Sequence, residues 1–121
     1  MSNHLSHFVS LHPYFTVHAG QMEEFKAGMR GMVERTRTEE KNLFYEFTVN
    51  GDEVFCREAY ADAAGLLFHL GNVDALLKAA LKMADLTRLE VHGPAGELDQ
   101  LRGALAGLNP AWFPIGCGVT K

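Results

Sequence analysis

Between residues 22 and 36 the apolar side chains of Met22, Phe25, Met29, Met32 and Val33, together with Thr36, recur at spacings of three and four. That period puts them on one stripe and predicts an amphipathic helix. Gly20 reads as its cap, and Glu23 and Glu24 fall in a first turn whose dipole favours negative charge. Upstream, Phe8 to Val17 is rich in aromatic and β-branched residues and predicts a strand. Pro13 has no N–H to give a ladder, so a bulge or an edge position is expected there. From Leu43 onward the period falls to two. Leu43, Tyr45, Phe47 and Val49 alternate with Phe44, Glu46 and Thr48, and Val54, Cys56, Glu58 and Tyr60 alternate with Phe55, Arg57 and Ala59. A turn at Asn50-Gly51 or Gly51-Asp52 makes this a hairpin, and either choice moves the register by two and keeps the faces matched. Tyr45, Cys56 and Glu58 therefore share one face, while Glu46 and Arg57 can pair across the other.

Helical spacing returns after Asp62, which is placed to cap. Leu66, His69, Leu70, Val73, Leu76, Leu77, Ala80, Leu81 and Ala84 form one stripe, with a break expected at Gly71-Asn72. Leu86 to Pro94 predicts a fourth strand. Leu98, Leu101, Leu105 and Leu108 mark a short third helix that stops near Gly107 and Pro110. The tail from Ala111 is too apolar to remain in water and must dock. Strand, helix, strand, strand, helix, strand is the βαββαβ order of a ferredoxin-like α+β fold, an antiparallel four-stranded sheet with two helices on one face. Both faces of the hairpin carry large apolar residues, yet helices cover only one. A second copy of the chain is the simplest cover for the other, so a homodimer is expected.

The length of 121 residues allows one domain, expected to span 5–121 with a core over 8–93 and a C-terminal extension over 94–121. A net charge of −4 with scattered Lys and Arg argues against a nucleic-acid surface. No apolar run approaches the ~20 residues of a membrane span. The first residues lack the charged and apolar regions of a secretory signal, so a cytoplasmic location is expected. Cys56 and Cys117 form no CxxC pair and read as free buried thiols of a reducing compartment.

The stretch FTVHAGQMEEFKAGMRGMVERTR, the hairpin, and then FCREAYADAAGLLFHL resemble the antibiotic biosynthesis monooxygenase (ABM) family of dimeric α+β barrels. The family pattern of a glutamate, an aromatic two residues on, a helix start, an alanine and a histidine-leucine pair is met by Glu58, Tyr60, Asp62, Ala64 or Gly65, and His69-Leu70. The resemblance covers roughly Phe8 to Gly93. It implies a sheet pair closing across a dimer and a pocket in each subunit between helices and sheet. It also implies oxidation of quinols or polycyclic phenols by dioxygen with no metal or flavin cofactor, although non-catalytic members exist. The haem-degrading branch uses an asparagine, a tryptophan and a histidine where this chain aligns Pro13, His69 and Ala79. All three depart, which disfavours haem oxygenation.

His69 is the leading catalytic candidate, since an imidazole titrates near neutrality and can take a proton from an aromatic hydroxyl. The plain alternative is a buried histidine that bonds a backbone carbonyl. Glu58 and Tyr45 are candidates beside it, because a buried glutamate with no basic neighbour has a raised pKa and can act as acid or base. Whether their face looks at the helices or at a partner sheet is open in the sequence. Tyr60, Leu66 and Trp112 are candidates for the ligand pocket, Trp112 only if the tail forms a lid rather than an anchor. His12, His18 and His92 lie on or beside strands without metal-site spacing, so no metal is expected. Phosphate-binding glycine motifs and a Ser-His-Asp arrangement are not apparent. The reading is a cofactor-independent monooxygenase acting on a quinol or related hydroxylated aromatic. The competing reading is a dimeric protein that binds a small molecule, or is stress-associated, without chemistry.

Overall fold

The computed structural model describes residues 7–120; the expected domain start at residue 5 lies outside them. The chain runs β1 (Val9–Val17), α1 (Met22–Thr36), β2 (Asn42–Asn50), β3 (Glu53–Tyr60), α2 (Ala63–Asn72), α3 (Asp74–Met83), β4 (Ala84–Gly93), α4 (Ala95–Asp99), α5 (Arg102–Leu105), a 3-10 turn (Ala106–Leu108) and β5 (Ala111–Pro114). The sheet order is β2-β3-β1-β4-β5, and the first four strands are the antiparallel ferredoxin-like set that the sequence pattern predicts.

Where the structure differs, local causes account for it. The helix expected from Leu66 to Ala84 is two helices bent by 70°, and the break falls at Val73 rather than at Gly71-Asn72. Asn72 donates to the Arg35 carbonyl at 2.9 Å while Arg35 donates to the Asn72 carbonyl at 2.6 Å, a reciprocal latch that pins the end of α2 to the end of α1. Beyond it α3 turns to lie on α1, where Gly31 leaves room for Leu76. Gln21 rather than Gly20 is the cap of α1, and Gly20 takes a positive φ of 80° in the preceding turn. The hairpin turns at Gly51-Asp52, with Asn50 opposite Glu53 and Gly51 at φ 64°.

Pro13 sits not at an edge but in the central strand. Its missing N–H is accommodated where the β1–β3 pairing skips His12 and Pro13, and the register against β4 shifts between Tyr14 and Phe15. The expected third helix is two short helices and a 3-10 turn, ended by Asn109 in the left-handed region. The tail docks as a fifth strand parallel to β4. Only Trp112 turns toward the core, with the Arg102 guanidinium 4.7 Å above its ring; Phe113 is 41% exposed and Ile115 63% exposed. Cys56 is buried, as expected, but Cys117 is exposed.

All helices lie on one sheet face. There they form two apolar clusters, one around Val9, Leu11, Leu66, Val91 and Leu101, the other around Phe15, Phe25, Met32, Val54 and Val73. The opposite face carries a chain of rings across four strands. Tyr14 lies 4.6 Å from Phe55, Phe55 6.1 Å from His12, His12 4.8 Å from His92, and His92 stacks on Phe113 at 4.5 Å. No single helix among the described residues is long and apolar enough to cross a membrane.

Candidate functional site

Alternation along β2 and β3 turns Tyr45 and Glu58 to the helix-covered face, directly opposite each other in the ladder. Glu46 and Arg57 point the other way and form an ion pair at 2.8 Å. The open choice of face is thereby decided: Glu58 looks at the helices. From above, α2 brings down His69. Asp62 starts that helix by accepting the Gly65 N–H at 2.9 Å, and Lys41 donates to the other Asp62 oxygen at 2.8 Å, which holds the Asp62 carboxyl below its usual range. His69, two turns on, is 2% exposed and faces Glu58.

The third member of the cluster, Glu39, was not among the sequence candidates. It comes from the loop after α1, and its side chain is only 2% exposed. Glu39 Oε2 lies 2.9 Å from His69 Nδ1 and accepts the Asn72 side-chain N–H at 2.9 Å. Glu39 Oε2 thus faces two nitrogens, and an Nδ1–H tautomer of His69 suits this contact. Nε2 stands 3.4 Å from Glu58 Oε1, which accepts the Tyr60 hydroxyl hydrogen at 2.7 Å. The rings of Tyr45 and Tyr60 lie 4.9 and 5.1 Å from the imidazole and wall it in. One signal of Glu39 was available: Glu39-Glu40 follows the C-terminal end of α1, where the helix dipole disfavours anions.

Burial pushes the Glu58 carboxyl up from its ordinary value, an effect that His69 and the Tyr60 hydroxyl only partly offset. Burial, reinforced by the neighbouring Glu58, also raises the Tyr45, Tyr60 and Cys56 groups, which keeps the phenols and the thiol neutral. The cluster is therefore an anchored imidazole next to a carboxyl that resists ionisation.

Glu58, His69, Tyr45 and Cys56 open into a mostly enclosed cavity of about 40 Å³ at the seam of the two apolar clusters. Its remaining walls are almost wholly apolar, including Leu11, Met32, Phe47 and Leu77. The C-terminal extension takes part through Leu105 and Leu108, although the family resemblance ended before it. Of the expected pocket residues, none lines this cavity. Leu66 is fully buried in the apolar cluster, Tyr60 acts behind Glu58 through its hydroxyl, and Trp112 anchors β5 instead of forming a lid.

No protein-family model and no curated protein matches the chain. Among solved structures, MupZ from Pseudomonas fluorescens is 40% identical over 94% of both chains, with a TM-score of 0.88. The chain belongs to the antibiotic biosynthesis monooxygenase superfamily. Two further ABM structures share the fold at low identity. A putative antibiotic biosynthesis monooxygenase from Nitrosomonas europaea is 16% identical over 74% of this chain and 92% of its own, with a TM-score of 0.66. Another from Caulobacter crescentus is 17% identical over 72% and 89%, with a TM-score of 0.65. The ABM superfamily includes cofactor-independent monooxygenases and oxidoreductases, and its fold is the dimeric α+β barrel that the sequence resemblance implied.

Proposed function

We propose that the chain is a cofactor-independent monooxygenase that oxidises a quinol or related hydroxylated aromatic with dioxygen. The observation that carries this reading is the Glu58–His69 pair set in the wall of an otherwise apolar cavity. A substrate hydroxyl placed against the pair gives up its proton, and the phenolate then donates electrons to dioxygen. One oxygen atom bonds to a ring carbon, the O–O bond breaks, the hydrogen of that carbon moves to the new hydroxyl, and the other oxygen atom leaves as water with the protons of the two original hydroxyls. The ring is left as a hydroxylated quinone, so the substrate supplies every electron. The apolar walls keep the reactive intermediate from water. The cavity of about 40 Å³ fits solvent rather than a ring-sized molecule, so substrate entry requires its apolar walls to spread.

The open sheet face completes the proposal. Its row of rings and its paired charges, Glu46 with Arg57 and Glu90 with Arg88, suit a second copy of the same face, as in the dimeric barrels of the family. The test of function is oxygen uptake across a panel of quinols, with product analysis. The parent should consume one dioxygen per quinol without releasing peroxide, and Glu58→Gln and His69→Gln should each lose about 10²-fold in rate. A parent that binds these quinols but takes up no oxygen beyond a heat-inactivated control would overturn the enzymatic reading in favour of a binding protein.

A further inference from the structure

Two separate spaces border the two ends of the Glu58–His69–Glu39 chain. The inner one is the cavity that Glu58 and His69 line. The outer one is a surface recess lined by Thr38, Glu39, Lys41, Ala64, Gly65 and the 62% exposed Phe68, among others. His69 sits between them, its Nε2 toward Glu58 and its Nδ1 toward Glu39. Both carboxylates have buried side chains, yet Glu39 forms part of the wall of the recess.

We propose that Glu58, His69 and Glu39 form a proton relay between the closed cavity and the surface recess, with Glu39 as its outer terminus. The inference rests on the acid–base reading of the cavity. A cavity sealed by its substrate has no water with which to exchange the proton it removes, and the relay supplies the route. Glu58 hands its own proton to Nε2 as it takes up the one from the substrate, the imidazolium releases the Nδ1 hydrogen to Glu39, and Glu39 gives it to water in the recess. No bond other than those to hydrogen changes. The oxidation of a quinol to a hydroxylated quinone and water releases no net proton, so each outward transfer is followed by an inward one, and the reverse passage restores the Nδ1–H tautomer without a ring flip. Glu39 touches no cavity space and is a positioning and relay residue.

Gly65 is part of the device. A Cβ there would lie 2.7 Å from Lys41 Cβ, so only glycine lets the loop carrying Glu39 come this close to α2. Glu40, exposed beside the same recess, has no contact with His69 and serves as a control.

The test needs no substrate. In protein labelled with ¹⁵N-histidine, the exchange of the His69 ring N–H with water is measured by magnetisation transfer in the parent, Glu39→Gln, Glu39→Asp and Glu40→Gln. Glutamine keeps an acceptor for both Nδ1–H and Asn72 but cannot pass a proton on. The relay predicts exchange slowed at least about tenfold in Glu39→Gln, partly recovered in Glu39→Asp, and unchanged in Glu40→Gln. Glu39→Gln exchanging as fast as the parent, with an intact melting transition, would overturn the relay. So would a parent whose His69 N–H exchanges no faster than the buried α2 amides. Failure of every quinol to react would remove the oxygenase while leaving this measurement decisive.

Discussion

His69→Ala removes the imidazole that separates two buried carboxylates, and its cost should depend on pH. In the parent, Glu39 and Glu58 each face one ring nitrogen, at 2.9 and 3.4 Å, with all three side chains no more than 4% exposed. Without the ring the carboxylates face one another across a cavity. Removing one partner of a buried charged arrangement typically costs about 3–5 kcal/mol. Here the cost has an outlet, because Glu58 can take up a proton and become neutral. The sign follows from linkage. The folded value of Glu58 is already raised by burial, and His69 is the largest influence holding it down, so the substitution raises it further. A group with a raised folded value contributes stability that is complete below its unfolded value and is lost as pH rises through the folded one. His69→Ala should therefore be destabilised by about 3 kcal/mol at pH 8 and by distinctly less at pH 5, where the remaining loss is that of the cavity. Urea unfolding at both pH values measures the difference, and Glu58→Gln in the same background should abolish its pH dependence. Equal losses at the two pH values would refute the reasoning, since a plain cavity does not titrate.

Gly65→Ala should destabilise by about 1–3 kcal/mol in chemical unfolding, because the new Cβ meets Lys41 Cβ at 2.7 Å; a neutral result would show that the 38–41 loop moves freely. Trp112→Ala should cost about 2 kcal/mol, less than a fully buried tryptophan, since its ring packs on the apolar cluster beneath Arg102; an unchanged melting temperature would show that β5 contributes nothing to stability. Phe55→Glu, at the centre of the open-face ring chain, should convert a homodimer to monomers in sedimentation velocity at micromolar concentration, whereas a monomeric parent would contradict the proposed pairing.

The parts of this molecule that the chain announces are those written by local periodicity. The two-residue alternation around Tyr45 and Glu58 placed them on one face, Asp62 announced the start of α2, and the helical stripe put His69 on the apolar side of its helix, while which sheet face met that helix stayed open. What was illegible depends on contacts between distant segments. Glu39 reaches His69 only because Gly65 admits its loop and Asn72 holds its carboxylate, and neither residue advertises that role in a single sequence. The bend at Val73 follows from a latch between Asn72 and Arg35, 37 positions apart. Parallel pairing of β5 with β4 likewise has no local signature, so the tail could be expected to dock but not where, and the choice for Trp112 between anchor and lid could not be made from the chain.

The central claim is that Glu58 is held as a resistant acid against His69 within the apolar cavity. A ¹³C NMR titration of glutamate side-chain carboxyls in the parent, with Glu58 assigned by the signal missing in Glu58→Gln, tests it directly. The account predicts that Glu58 titrates above the ordinary carboxylate range, as its burial dictates, and above the solvent-exposed glutamates of the same sample. A Glu58 signal that titrates together with those surface carboxyls would contradict it.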